Sequence, residues 1–180
     1  MTGVRKELDA AELRRLLVEL GARLHAKGVE ATLYIVGGAA IALELDPRRV
    51  TVDIDAVFHP ETTVRQEAQA IAAEHHLPPD WLSSNAAMFI PGGDTDAVVL
   101  DIPGLSVSLA SPEHLLAMKM AAFRPGQDVV DLELLFRLLG ITAAAQAAEL
   151  ALHVYGECSV VLPERDELLL SARAVLDRLR

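Results

Sequence analysis

Between Tyr34 and Phe58 the chain reads YIVGGAAIALELDPRRVTVDIDAVF, and this stretch limits the folds open to it more than any other. Leu33 to Val36 is a short apolar run of strand type, broken at Gly37-Gly38. Small apolar residues from Ala39 to Leu45 then suit a short helix, and Pro47 closes it. Val50 to Phe58 is a second apolar strand, interrupted by Asp53 and Asp55. Residues two apart on a strand share a face, so both carboxylates should point the same way. Acids on a strand flanked by Val50, Val52, Ile54, Ala56 and Val57 are costly without compensation. A divalent cation would supply it, and hard oxygen ligands favour Mg²⁺ or Mn²⁺.

The 180 residues suit one domain, or one domain with a helical extension. Hydrophobic residues make up 52% but aromatics only 4%, so the core must be built from Leu, Val, Ile and Ala. A single cysteine, Cys158, excludes an intramolecular disulfide and favours a reduced, cytoplasmic setting. The N-terminus, MTGVRKELDAAEL, is charged and has no signal-peptide core, and no apolar run is long enough to span a membrane. The net charge is −10 and the isoelectric point about 5.0. Thr51 to Met118 holds ten acids against one base, Arg65. This balance argues against a broad nucleic-acid footprint, which needs clustered Lys and Arg.

Leucines at 13, 16, 17, 20 and 24 predict a helix over Glu7–Lys27, stopped at Gly28. Strands are expected at 32–36 and 50–58, with a helix at 39–45 between them. A third helix, over 63–76, would be capped by Thr62 or Thr63. Asp80–Asn85 suits a short helical turn carrying Trp81, and Ala87–Ile90 a short strand. Two apolar runs, 97–102 and 105–109, flank Pro103-Gly104 and read as a hairpin. The rest is helical. Ser111-Pro112-Glu113 opens a helix to about Phe123, Asp128 opens one ending at Gly140, Thr142 one ending near Gly156, and Pro163–Leu179 is the last. The expected fold class is α/β (α+β), with a mixed sheet flanked by helices over residues 1–110 and an α-helical C-terminal half over 111–180.

Several residues stand out for chemistry. A glycine pair between strand and helix brings backbone amides toward a phosphate, though a plain tight turn has the same sequence. No lysine follows it, so it is not a P-loop. Lys119 lies among Leu115, Leu116, Met118, Met120 and Ala121, near the apolar face of its helix. Asp128 suits an N-cap, whereas Asp131, one turn further in, does not.

A glycine pair followed about a dozen residues later by D-x-D on the next strand resembles the nucleotidyltransferase superfamily, whose core is like that of DNA polymerase beta. VGGAAIALELDPRRVTVDIDAVF is similar to the AbiEii-like nucleotidyltransferases, including the MenT-type toxins, and SPEHLLAMKMAAFRPGQDVVDLELLFRLLG resembles their helical segment. The resemblance covers roughly residues 30–140. It implies that Asp53 and Asp55 hold Mg²⁺ (or Mn²⁺) on an NTP, and that Gly37, Gly38 and Ala39 contact the nucleotide. It implies further that Lys119 touches phosphate and that Asp128 or Asp131 is the later acid. Arg49 and Arg124 are further phosphate contacts on this reading. The superfamily's third carboxylate would be Asp101, with Asp94 and Asp96 as rivals. Serine commonly follows the glycine pair, and here that position is Ala39.

The implied function is metal-dependent transfer of an NMP from an NTP to a hydroxyl on tRNA or protein, as a component of a toxin–antitoxin pair with a cognate partner. The alternative is a non-catalytic or antitoxin-like binding protein on the same fold, which Ala39 and the acidity favour. An antibiotic-modifying relative would share the same core.

Overall fold

The computed structural model describes residues 6–180, and the first five residues of the charged N-terminus lie outside the described ones. The chain divides into two compact units: the segment through Met88 joined by Ala97–Ala110, and Phe89–Asp96 joined by Ser111–Arg180. The division does not fall at residue 110 alone. The turn-rich 89–96 segment belongs with the C-terminal helices.

The first unit is built on a five-stranded mixed sheet in the order β3-β2-β1-β5-β4. β1 (Thr32–Val36) lies at the centre, antiparallel to β2 (Ile54–His59) and parallel to β5 (Leu105–Leu109). β4 (Val98–Ile102) and β5 form the expected hairpin around Pro103-Gly104. β3 (Leu82–Ser83) adds a short parallel edge beside β2.

Burial alternates along the strands. Leu33, Ile35, Ile54, Ala56, Phe58, Leu100, Ile102, Leu105, Val107 and Leu109 are all buried. Against the sheet pack α1 (Ala10–Ala26) and α3 (Glu61–His75), which also touch each other. The leucine stripe of α1 is fully buried, as its spacing requires, and Asp9 caps the helix by accepting from the Glu12 amide at 2.8 Å. α3 begins two residues earlier than its threonines suggested. Pro60 occupies the N-cap and no side chain caps the helix, so neither Thr62 nor Thr63 does so.

Three local expectations fail for identifiable reasons. Asp80–Asn85 is not helical. Trp81 is fully buried, with its indole N–H donating to the Ala68 carbonyl at 2.8 Å, and this lays Leu82-Ser83 against β2 as a strand. Ala87–Phe89 forms a single 3₁₀ turn, and among the described residues no strand pairs with it. The second strand begins at Ile54 rather than Val50, because Thr51 is instead bridged to Leu8 through two backbone hydrogen bonds of 2.7 and 3.0 Å.

The second unit contains α4 (Pro112–Ala121), α5 (Val129–Leu138), α6 (Ala144–Tyr155) and α7 (Arg165–Arg178). Ser111 caps α4, accepting from the His114 amide at 3.3 Å. At α6 the N-cap position is Ala143, and the Gln146 side chain reaches back to accept from the Thr142 and Ala143 amides. Thr142 is therefore not the cap.

Gly21, inside α1, gives a sharp test of this packing. A Cβ there would lie 2.4 Å from the Pro103 carbonyl oxygen of the β4–β5 turn. Helix propensity alone makes Gly→Ala stabilising by about 1 kcal/mol. The close approach reverses the sign, and Gly21→Ala should destabilise by about 1–3 kcal/mol in urea unfolding. An unchanged or raised midpoint would contradict the packing of α1 on the hairpin.

Candidate functional site

The glycine turn and the second acid lie side by side because of strand pairing. Val36, the last residue of β1, is opposite Asp55 of β2. Gly37 follows with φ +65°, a left-handed conformation that favours glycine. A Cβ at Gly37 would project to 3.9 Å from Asp55 Oδ2, so the missing side chain leaves open space beside that oxygen. Gly38 is packed more tightly: its Cβ would meet Thr51 Oγ1 at 3.2 Å and Arg49 Nη2 at 3.4 Å. The chain then runs into the short helix α2 (Gly37–Ala40) and one π-helical turn, Ile41–Leu45, rather than a single helix over 39–45. Ala39 is buried. Its methyl belongs to the core, so the contribution expected of Ala39 to nucleotide binding reduces to its backbone.

Asp55 is half-buried and sits on the face of β2 opposite Ile54, Ala56 and Phe58. That corrects the premise of a strand buried on both sides: β2 buries one face and carries its acid on the other. Asp53 is half-buried but precedes the strand, and its carbonyl accepts from the Thr51 hydroxyl at 3.2 Å. Arg49 donates through Nη1 to the Val50 carbonyl. Arg49, Thr51 and Gly38 therefore form one cluster, with Gly37 and Asp55 beside it.

Two members of this site escaped sequence reasoning. Thr51 has the same parity as Asp53 and Asp55, a signal that was available in TVDID. Ser83 donates its hydroxyl to Asp55 Oδ1 at 3.0 Å from the paired position on β3. The sequence around Trp81 suits a helical turn, and this conceals Ser83.

Asp101 does not join them. It is exposed on edge strand β4, opposite Ser106, whereas Asp55 is on β2, with β1 and β5 in between. At about 4.8 Å per strand that is roughly 14 Å, before the offset along the strands is added. Asp101 is therefore removed from the metal set. Asp94, its rival, accepts from the Ser111 amide at 2.9 Å and pairs with His114 at 3.3 Å. Among the described residues no group of three or more His, Cys, Asp or Glu is placed to hold a metal ion. Two carboxylates completed by substrate phosphates are nevertheless a normal Mg²⁺ arrangement, and the open space beside Asp55 Oδ2 suits it.

A family model described as a nucleotidyltransferase of unknown function (DUF6036) matches residues 11–136. The chain belongs to this family. The match makes it a nucleotidyltransferase-family protein at a coarse level and does not reach the narrower AbiEii-like or MenT-type resemblance. Among solved structures, an antigenic nucleotidyltransferase-like protein from Paracoccidioides brasiliensis is similar at 18% identity and a TM-score of 0.47, covering 97% of this chain and 91% of that one. No curated protein matches the sequence.

In the second unit, Lys119, Asp128 and Asp131, expected from the AbiEii-like resemblance, and Arg124, a further expected phosphate contact, form one network. Lys119 Nζ lies 2.8 Å from Asp128 Oδ1 and 2.9 Å from Asp131 Oδ2. Arg124 donates to both Asp128 oxygens, through Nε at 2.9 Å and Nη2 at 3.1 Å, and its backbone amide donates to Oδ2 at 3.0 Å. Both carboxylates are buried. Asp128 sits at the N-cap of α5, but its side chain does not cap the helix. Burial pushes the Asp128 carboxyl up, yet Arg124 and Lys119 together outweigh burial and hold it below the usual value of 3.8. Two cations face two anions, so the ammonium of Lys119 is already answered. Lys119, expected as a phosphate contact, and Asp128 and Asp131, expected as site acids, thus form a buried ion-pair cluster, and Arg124, the other expected phosphate contact, closes it from the exposed side.

Lys119→Met removes the cation shared by two buried carboxylates and should cost about 3–5 kcal/mol in denaturant unfolding. A change below about 1 kcal/mol would show that Lys119 is not structural. Asp128 contributes stability above pH 3.8 that is lost as pH falls through its lowered folded value. The stability gap between wild type and Asp128→Asn should therefore be constant at neutral pH and narrow in acid below about pH 4.

Proposed function

We propose that this protein is a metal-dependent nucleotidyltransferase that moves an NMP from an NTP to a hydroxyl on tRNA or protein, acting in a toxin–antitoxin pair with a cognate partner. The observation that carries the reading is the meeting of the glycine turn with the D-x-D acid: Gly37 beside Asp55 Oδ2, and Gly38 against Arg49 and Thr51. Family membership supports the transferase class.

The residues divide the work. Asp53 and Asp55 would hold Mg²⁺ or Mn²⁺ with hard oxygens. When bound, such an ion supplies Lewis-acid stabilisation of phosphoryl oxygens. Gly37 would bring its backbone close to a triphosphate with no side chain of its own in the way, while Gly38 is flanked by Thr51 and by the Arg49 guanidinium, which would add positive charge there. The acceptor hydroxyl then attacks the α-phosphate in line, and pyrophosphate leaves. Lys119 is not assigned a step, because Asp128 and Asp131 already neutralise it.

A second reading, nucleotide binding without transfer, is favoured by the same neutralised lysine and by buried Ala39. Incubation with labelled NTPs, Mg²⁺ and either total tRNA or co-expressed partner protein separates the two. The transfer reading expects label on one acceptor, and Asp53→Ala or Asp55→Ala should reduce it by more than about a hundredfold, since even outer-shell changes cost 10–100-fold. Binding of NTP without label transfer supports the second reading, and neither binding nor transfer contradicts both.

A further inference from the structure

Resting on the metal-site reading above, we infer that Ser83 is a positioning residue that fixes the Asp55 carboxylate for cation binding. Ser83 is only 5% exposed, and its hydroxyl donates to Asp55 Oδ1 at 3.0 Å. Asp55 Oδ2 faces the gap left by the missing Gly37 side chain. The carboxylate is thus divided: one oxygen is occupied by a buried hydroxyl and the other is presented to the glycine turn. A free aspartate rotates about its terminal torsion with little preference. A buried donor on one oxygen removes that freedom before a ligand arrives.

The short strand β3 is arranged to keep this donor in place. It contributes two residues, Leu82 paired with Ile54 and Ser83 paired with Asp55. Both ends of the segment are anchored. On one side, buried Trp81 accepts from the Ile54 amide at 2.6 Å and donates from its indole to Ala68. On the other, Ser84 accepts from Arg65 at 2.8 Å, and that guanidinium lies 5.6 Å over the Phe58 ring and bonds Glu61. Arg65, the one base between Thr51 and Met118, thus holds the strand that orients the acid.

The test is Mn²⁺ binding followed by electron paramagnetic resonance, with a non-hydrolysable NTP analogue in every arm and thermal unfolding recorded for each variant. Ser83→Ala should keep the wild-type unfolding midpoint within a few degrees while weakening Mn²⁺ binding about tenfold or more, the usual scale of losing an orienting partner of a metal ligand. Ser83→Thr, which keeps the hydroxyl, should restore most of that loss. Asp55→Asn should abolish the site. If Ser83→Ala binds Mn²⁺ like wild type while Asp55→Asn does not, the positioning role is wrong and the metal-site reading stands. If Asp55→Asn also binds like wild type, the metal-site reading itself fails. An equal loss in Ser83→Ala and Ser83→Thr would assign the effect to packing and overturn the inference.

Discussion

The pairing of Val36 with Asp55 is the contact on which the candidate site depends. Antiparallel register places the end of β1 and the start of β2 at one level, so the residue after Val36 must turn away beside the acid. Only a residue at ease with positive φ can do so without strain, and Gly37 does. A register slip of one residue would send Asp55 to the face packed by α1 and α3 and bring Ile54 out, so the hydrophobic pattern of β2 protects the position of the carboxylate. Stability and site geometry are therefore set by the same alternation.

The two units treat charge differently. In the sheet unit, Asp53 and Asp55 are half-buried, and Asp55 keeps one oxygen beside open space. In the helical unit, Asp128 and Asp131 are buried and share Lys119, with Arg124 also on Asp128. A network of two cations and two anions gains little net stability over apolar packing, but removing one member is costly. It fits a role in fixing the start of α5 against α4 better than a role in meeting a polyphosphate.

Much of this was legible in the sequence. The leucine stripe of α1, the apolar runs of β1, β4 and β5, and the Ser111-Pro112 start of α4 are local signals that tertiary packing reinforces. The glycine pair and D-x-D were visible as a motif, and family membership agrees with the superfamily they resemble. What was not legible depended on partners distant in sequence. Trp81 finds its carbonyl on α3, and this turns an apparent helical turn into β3 and conceals Ser83. Leu8 holds Thr51 out of the strand ladder, more than 40 residues along the chain. Asp101 has the right composition around it, but strand order places it at the far edge of the sheet. Lys119 lies near the apolar face as its neighbours suggest, and only the structure reveals two carboxylates waiting for it.

The most direct test of the central claim is a crystal structure with Mn²⁺ and a non-hydrolysable NTP analogue, using the anomalous signal to locate the metal. The expected result is a peak bound by Asp53 and Asp55 Oδ2, with the triphosphate against Gly37, Gly38 and Arg49. A metal placed elsewhere, or a triphosphate bound away from the glycine turn, would contradict it.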